Sequence, residues 1–300
     1  MPDARELDLV GKVEMRIAMC SSDGKLQSVL DTYLPPLLLK LASEYVSVRN
    51  KVINVCQHIN TRIKPPSIKL PVASLLKQYK ETRNPLVRHF DLLYVQQGIE
   101  RLPHHEHVAL LPNILHGLAE NYKESASHAA TLFNILLKLL HSLTLPLRGS
   151  QDDAALRDKL GLGDRPDDAT FVATWLGKLV LFSINQSGAT RCPGLSKNDH
   201  SFLQMYGKID TWKSKVIGGL NLVETKVLVT KFLASGTFVD SERFLPALYA
   251  SADPKYVFSK SKSPDWVGSL SLKPVFREYL LVGEPIDMSR NMLYFLPRIC

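Results

Sequence analysis

Apolar residues recur at helical spacing along most of the chain, and the clearest pattern lies between residues 26 and 41. Its apolar positions follow the i, i+3, i+4, i+7 rule for one face of a helix. They are Leu26, Val29, Leu30, Tyr33, Leu34, Leu37, Leu38 and Leu41. Ser22 or Asp23 can cap the start of this helix. Pro35 and Pro36 lie inside it and predict a bend, because proline lacks a backbone N–H and its ring clashes with the preceding turn.

A second amphipathic helix follows after a short polar break at residues 43–47. Its apolar face consists of Val48, Val52, Val55, Cys56, Ile59 and Ile63. Pro65 and Pro66 end it, since the residue before a proline is driven out of the helical region. Two such helices joined by a turn form a hairpin that cannot bury both of its apolar faces alone. The pattern therefore predicts further helix pairs stacked on each side.

The same spacing predicts helices over most of the remaining sequence. They fall at about residues 72–79, 85–98, 105–120, 125–145, 168–184, 199–206, 222–233 and 240–250. Residues 149–168 are polar and rich in Gly, Asp and Arg, so we predict a loop insertion there with one helical turn at 153–160. No segment shows the alternation of a strand. The predicted fold is an all-α, HEAT-like α-α superhelix, or α-solenoid, of stacked antiparallel helix pairs.

The composition is that of a soluble protein with a sizeable core. The chain has 300 residues, of which 45% are hydrophobic and 22% charged, and its mean hydropathy is -0.04. No apolar run approaches the roughly 18 residues needed to span a bilayer, and the N-terminus lacks the features of a secretory signal. The four cysteines lie far apart, which disfavours a disulfide scaffold or a zinc site and fits a reducing compartment.

The net charge of +8 is concentrated in one segment. Residues 49–83 contain eight Lys and Arg residues against the single acid Glu81. From this run we select as candidate partner-binding residues Arg62, Lys64, Lys69, Lys77, Lys80 and Arg83. Three interpretations stay open: a solvated edge of the solenoid, a surface for an acidic protein, and a nucleic-acid site. The last needs aromatic side chains for stacking, and only Tyr79 and Phe90 lie nearby.

Candidate catalytic or metal chemistry is sparse. The run His104 to His107 (HHEH) is the one group with metal-like side chains, but a structural zinc site needs four ligands and no other His or Cys lies close by. We interpret it as a solvated helix start. No G-x-S-x-G motif occurs, and no cysteine lies in a motif that would activate it. We therefore predict no catalytic, cofactor-binding or metal-binding residue.

Several segments resemble one family of helical-repeat proteins. Pro35, Ser43 and Val48-Arg49 match the spacing of a HEAT repeat signature, with Ser43 in place of the usual Asp. Five segments are similar to the N-terminal domain of the ECM-type ("extracellular mutant") proteasome adaptor and scaffold family. They are LDLVGKVEMRIA (7–18), LPPLLLKLAS (34–43), VRNKV (48–52), IKLPVASLLKQY (68–79) and, most specifically, ETKVLVTKFLASGTFVDSERFLPALYASAD (224–253). The resemblance covers residues 6–253 in patches.

The resemblance implies a non-enzymatic adaptor and scaffold without a cofactor. Its partners would be the proteasome core and regulatory particles, which it would tether to each other in the cytoplasm and the nucleus. Family members are several times longer, so the resemblance implies a truncated, fungal-like member. It would consist of a HEAT-like domain at 1–253 and a tail at 254–300 that departs from the family pattern.

Three other functions remain as alternatives to this adaptor. A HEAT-repeat transport receptor or generic adaptor would release its cargo to a small GTPase. A nucleic-acid binder using residues 49–83 would lose affinity steeply as salt rises. An enzyme would lose turnover when a single His, Cys or Asp is replaced.

Overall fold

The computed structural model describes residues 2–147, 149–182, 184, 195–207, 210–213, 219–233 and 235–238. All regular structure in these residues is helical, with no strand among them. The α-helices are α1 (Pro2–Ala18), α2 (Asp23–Leu39), α3 (Val46–Arg62), α4 (Val72–Glu81), α5 (Pro85–Ile99), α6 (His104–Asn121), α7 (Ala126–Leu140), α8 (Gln151–Lys159), α9 (Pro166–Leu181), α10 (Lys197–Leu203) and α11 (Leu222–Leu233). The chain forms two compact units, Met1–Asn113 and Ile114–Cys300.

Helix α2 continues through both of its prolines. It runs to Leu39 and then tightens into a 3₁₀ turn at Lys40–Ala42. Pro35 and Pro36 deprive the carbonyl groups of Asp31 and Thr32 of their helical partners. Both of those residues are exposed, so water can satisfy the two carbonyls. The apolar face of α2 is buried as the sequence predicts.

In the first unit, α1 and α3 run side by side in the same direction. Glu6, near the start of α1, accepts hydrogen bonds from Lys40 and Ser43, at 2.7 and 2.6 Å, just before α3 begins. At the other end, Arg62 of α3 donates to the carbonyl of Cys20, which follows α1, at 2.6 Å. The sequence analysis did not predict α1, because few of its residues, among them Val10 and Ile17, are buried.

Helices α4 and α6 also share one direction. Lys69, just before α4, lies 3.6 Å from Glu106 near the start of α6. Farther along both helices, Lys80 donates to Asn113 at 3.3 Å. Helix α5 returns antiparallel to α4, and Asn84 caps its start by accepting from two backbone N–H groups of its first turn. The helices thus pack in neighbouring pairs, as in an α-solenoid, and the predicted all-α fold is confirmed.

In the second unit, aromatic rings and ion pairs join the helices, among them Lys178 of α9 with Asp199 of α10 at 2.8 Å. The ring of Tyr122 lies 5.0 Å from that of Trp175 in α9 and 5.3 Å from that of Phe202 in α10. His116 Nδ1 lies 2.8 Å from the Asp168 carboxylate and so links α6 to α9. Helix α11 packs against α7 and α9. The apolar side chains of α7, among them Leu132, Phe133 and Leu136, are buried.

The segment predicted as a loop insertion with one helical turn at 153–160 contains a longer helix that begins two residues earlier. Residues Gln151–Lys159 form α8, and α9 begins at Pro166 rather than at Asp168. Helix α8 is set up by charge and capping, since Ser150 accepts a hydrogen bond from the Asp153 N–H and acidic residues occupy the first turn. Few of its residues are apolar, so hydrophobic periodicity gave almost no signal for it.

Some predictions fall on residues that the structure does not describe. The helix predicted at 240–250, the tail at 254–300, Cys192 and Cys300 lie outside the described residues. Cys20 and Cys56 are buried free thiols. Among the described residues, no helix has both the length and the hydropathy required to cross a bilayer.

Candidate protein-binding surface

The basic run predicted from the sequence is divided between the two ends of α4. Helix α4 has ten residues and therefore a length of about 15 Å. Three of the candidate cations precede it and three lie at its C-terminal end or just beyond. We call Arg62, Lys64 and Lys69 the loop cluster, and Lys77, Lys80 and Arg83 the helix-end cluster. The six residues therefore form two groups along the chain, one before α4 and one in its C-terminal half and just beyond.

The loop cluster lies on the connection between α3 and α4, which is held in place by several contacts. Arg101 donates to the carbonyls of Pro65 and Ile68 at 3.4 and 3.0 Å. Lys69 forms its ion pair with Glu106. Lys64 is exposed, and its ammonium has no ion pair within the described part of the chain. Lys64 is therefore the member of this cluster best placed to meet a partner.

Arg62 makes intramolecular contacts that explain its position. Its guanidinium donates to the carbonyls of Ile17, Ala18 and Cys20 at the C-terminal end of α1. The carbonyl of Ile17 also accepts from the Cys20 N–H, whereas those of Ala18 and Cys20 lie beyond the last backbone hydrogen bonds of α1. The end of a helix carries a partial negative charge, so a cation there is stabilising. Arg62 therefore joins α3 to α1. Its predicted role in partner binding stays a prediction.

Replacing Arg62 tests this structural role. We expect Arg62→Ala to lower the free energy of unfolding by about 1.5 kcal/mol, because the substitution removes charge-assisted hydrogen bonds to carbonyls at the end of α1. Lys64→Ala, two residues away and exposed, should change it by less than about 0.5 kcal/mol. Urea denaturation followed by far-UV circular dichroism measures both values. Equal denaturation midpoints for the two variants would contradict the role assigned to Arg62.

The helix-end cluster is more accessible and adjoins a groove. Lys77 and Glu81 are 3.9 Å apart, with 76% and 66% of their side chains exposed, so their ion pair contributes little. Lys80 donates to Asn113, which is neutral, and Arg83 is exposed. Between the ends of α2 and α4 lies an open groove of about 460 Å³, lined by Leu39, Ser74, Lys77, Gln78, Glu81 and Thr82.

A buried carboxyl group lies behind this groove. Gln78 Nε2 donates to Asp91 Oδ1 at 2.9 Å. Asp91 is completely buried, and in the described part of the chain its Oδ2 has no hydrogen-bond partner. Burial raises the pKa of Asp91 to about 7, and the hydrogen bond from Gln78 only partly opposes this. Arg88 on the same helix and Tyr79 on α4 are buried as well.

The raised pKa of Asp91 predicts a pH-dependent stability. The folded protein holds the Asp91 proton more tightly than the unfolded chain, whose carboxyl has the ordinary pKa near 3.8. The contribution of Asp91 to stability is therefore present in full below about pH 4. It is lost as the pH rises through 7, with a slope of up to about 1.4 kcal/mol per pH unit. We expect Asp91→Asn to remove this slope while keeping an acceptor for Gln78.

The measurement is the free energy of urea unfolding of wild type and Asp91→Asn at several pH values from 4 to 8. The difference between the two proteins isolates Asp91 from other titrating groups. As the pH rises, the free energy of unfolding of wild type should fall relative to that of Asp91→Asn. A difference that is constant over this range would show that Asp91 does not titrate there.

The HHEH run lies at the start of α6 and is only partly solvated. His104 and His105 are exposed, as the sequence analysis expects. His107 is buried instead, and its Nε2 lies 2.9 Å from the carbonyl oxygen of Ile99 at the end of α5. The expectation of a solvated helix start was therefore wrong for His107, because the first turn of α6 packs against the end of α5. No group of metal-binding side chains occurs within the described ranges.

The described helices and surfaces are those of a helical-repeat protein, a class that uses stacked helix pairs to bind other proteins. A model of the family described as "Proteasome component ECM29, N-terminal" matches residues 10–263, so the chain belongs to this family. The predicted resemblance is thereby confirmed. The family match extends ten residues past the predicted domain boundary at Asp253.

Curated relatives match most of the chain. It is 33% identical over 216 residues, 67% of its length, to proteasome component ECM29 of Saccharomyces cerevisiae. It is 29% identical over 256 residues, 84% of its length, to the proteasome-associated protein ECM29 homolog of Drosophila melanogaster. It is 25% identical over 303 aligned positions, 92% of its length, to the human proteasome adapter and scaffold protein ECM29.

These matches cover only 11%, 12% and 16% of the three relatives. No solved structure matches the chain significantly.

Proposed function

We propose that the chain is the N-terminal helical segment of a proteasome adaptor and scaffold. The observation that carries this proposal is the family match over residues 10–263, together with the name of the human relative, a proteasome adapter and scaffold protein. The segment acts without catalysis, by presenting side chains on rigid helix pairs. Its partners are the core and regulatory particles of the proteasome, and it works in the cytoplasm and the nucleus.

The physical basis of binding is a rigid surface with a local excess of positive charge. Rigid helix pairs lose little conformational freedom on association, which favours binding. Exposed Lys and Arg side chains attract acidic partner surfaces, and they raise the association rate more than the final affinity. The two clusters at the ends of α4 supply such charge. Their role in contacting the proteasome is part of the proposal.

Nucleic-acid binding is less well supported by the geometry. Two of the basic side chains already have intramolecular partners, since Arg62 binds carbonyls at the end of α1 and Lys69 pairs with Glu106. The two aromatic residues near the run cannot serve as stacking platforms in their present positions, since Tyr79 is 1% exposed and Phe90 is half-buried. Non-specific single-strand binding requires both a basic groove and accessible rings.

The test is a native gel of cell extract containing the tagged chain, stained for peptidase activity and probed for the tag. We expect the chain to migrate with the active proteasome bands and to stay there after nuclease treatment. Loss of co-migration after nuclease treatment would favour the nucleic-acid alternative. Cargo release by a small GTPase in its GTP form would favour a transport receptor. Absence of the chain from every proteasome band would contradict the proposal.

A further inference from the structure

The groove between the ends of α2 and α4 combines an apolar contact with polar groups. Leu39, at the end of α2, is 46% exposed although it is a large apolar side chain. Across the groove, α4 and its C-cap residue supply the hydroxyl groups of Ser74 and Thr82 and the amide of Gln78. The volume of about 460 Å³ falls in the range of sites that enclose a ligand or a few side chains.

The lining of the groove carries one cation, Lys77, and one acid, Glu81, and residues 77–83 together contain three cations and this one acid. In the helix-end cluster, Lys77 lies near the middle of α4 and lines the groove, Lys80 lies on the last turn of α4, and Arg83 lies just beyond it. Glu81 is the acidic residue in the groove lining, and it contacts Lys77 through a long, exposed ion pair. An incoming carboxylate could replace Glu81 as the partner of Lys77 at little cost, because such exposed pairs are weak.

The walls of the groove are held in place before any partner arrives. The 3₁₀ turn that follows Leu39 is tied to α1, because Lys40 and Ser43 both donate to Glu6. Helix α4 is pressed against α5, where Gly98 lets the two helices approach closely. Gln78 is fixed by its hydrogen bond to buried Asp91. A partner segment therefore meets a surface that needs little reorganisation on binding.

We infer that this groove docks an acidic segment of a partner protein, with one bulky apolar side chain placed against Leu39 and its carboxylates near Lys77, Lys80 and Arg83. The inference rests on the proposed adaptor function, because that function supplies the partner protein to which the acidic segment belongs. In the loop cluster, Arg62 caps α1 and Lys69 pairs with Glu106, and neither residue lines this groove.

The test uses a peptide rather than the proteasome, so that its outcome is separate from that of the native gel. The probe is a fluorescein-labelled peptide of repeated Glu-Glu-Leu triplets, and fluorescence anisotropy measures its affinity for the full chain. Peptides of Gln-Gln-Leu and Glu-Glu-Ser triplets serve as controls that lack the charge or the apolar side chain. We expect both controls to bind about tenfold more weakly or not at all.

Matched variants of the chain locate the site. Changing Lys77, Lys80 and Arg83 together to Glu should weaken binding at least about tenfold. Changing Lys25, Lys64 and Lys69 to Glu alters the net charge equally, at the other end of α4, and should have little effect. Leu39→Glu should also weaken binding about tenfold, whereas Met19→Glu, at another exposed apolar position, should not. Circular dichroism verifies that each variant is folded.

A gain of affinity provides a test that misfolding cannot imitate. Glu81→Gln removes a like charge and frees Lys77, so we expect it to tighten binding of the Glu-Glu-Leu peptide about threefold. The inference is overturned if the peptide does not bind, or if the variants at the two ends of α4 bind it equally. If the peptide binds as expected but the chain is absent from proteasome bands, the docking role of the groove is supported and the proposed function is contradicted.

Discussion

Gly98→Val is expected to lower the free energy of unfolding by about 3 kcal/mol or more. Gly98 lies in α5 where this helix crosses the start of α4. A Cβ atom built at this position would lie 2.5 Å from Val72 Cγ2 and 3.1 Å from Leu70 Cβ. Both residues are buried and cannot move away freely. Forcing extra atoms into such a packed interface typically costs 1–3 kcal/mol, and valine adds two further methyl groups.

Gly11→Val is the matched control for this substitution. Gly11 also lies inside a helix, but a Cβ atom there would have no neighbour within 4 Å. Valine has a slightly better helix propensity than glycine, so we expect a change within about 0.5 kcal/mol. Urea denaturation measures both variants, and hydrogen exchange of the α4 and α5 amides locates the effect. If both variants unfold at the wild-type urea concentration, the close packing of α4 on α5 is not correct.

Asp153→Ala is expected to destabilise the second unit by about 3 kcal/mol. The buried Asp153 carboxylate accepts hydrogen bonds from the backbone N–H groups of Gly236, at 2.7 Å, and Gly149, at 3.1 Å. Removing it leaves both donors without their charged acceptor, and hydrogen bonds to charged groups are each worth about 1.5–3 kcal/mol. Arg157 of the same helix donates to the carbonyl of Thr237 at 2.9 Å. Helix α8 is therefore part of the packed structure.

The neighbouring Asp152→Ala provides the control. The Asp152 side chain is 79% exposed and only contacts Lys159 at 3.5 Å, so its loss should change stability by less than about 0.5 kcal/mol. Chemical denaturation and limited proteolysis of the two variants test the difference. Wild-type behaviour of Asp153→Ala would support the loop insertion that the sequence pattern predicted.

Helices with strong apolar periodicity could be predicted from the sequence as full helices, whereas α8, which depends on local polar contacts, was predicted only as a single turn within a loop. Helices α2 and α3 each bury an unbroken apolar stripe, so their positions follow from spacing alone. Helix α8 buries little apart from Leu156 and depends on Ser150 and the charges in its first turn. Its tertiary contacts, through Asp153 and Arg157, reach residues about eighty positions away in the sequence. No local pattern records such contacts.

The candidate surface was only partly predictable for a related reason. Counting charges along the chain identified the basic run, but it did not show that three of its cations precede α4 and three lie in the C-terminal half of α4 or just beyond. Arg62 has the same charge as Lys64 in the sequence, and only the structure places its guanidinium at the end of α1. The groove forms because Leu39 lies next to α4 in the folded chain. Leu39 is more than thirty residues away in sequence from Ser74 of α4, so no local pattern indicates this contact. The buried carboxyl of Asp91 gave no sequence signal at all.

The central claim is that this chain binds proteasome particles directly as a non-catalytic scaffold. The most direct measurement is biolayer interferometry with the immobilised purified chain and, in turn, purified core particle, regulatory particle and their assembled complex. The account predicts saturable binding, tightest for the assembled complex. It also predicts weaker binding after the helix-end cluster is changed to Glu than after the matched change at Lys25, Lys64 and Lys69. Absence of binding to all three purified particles would contradict the account.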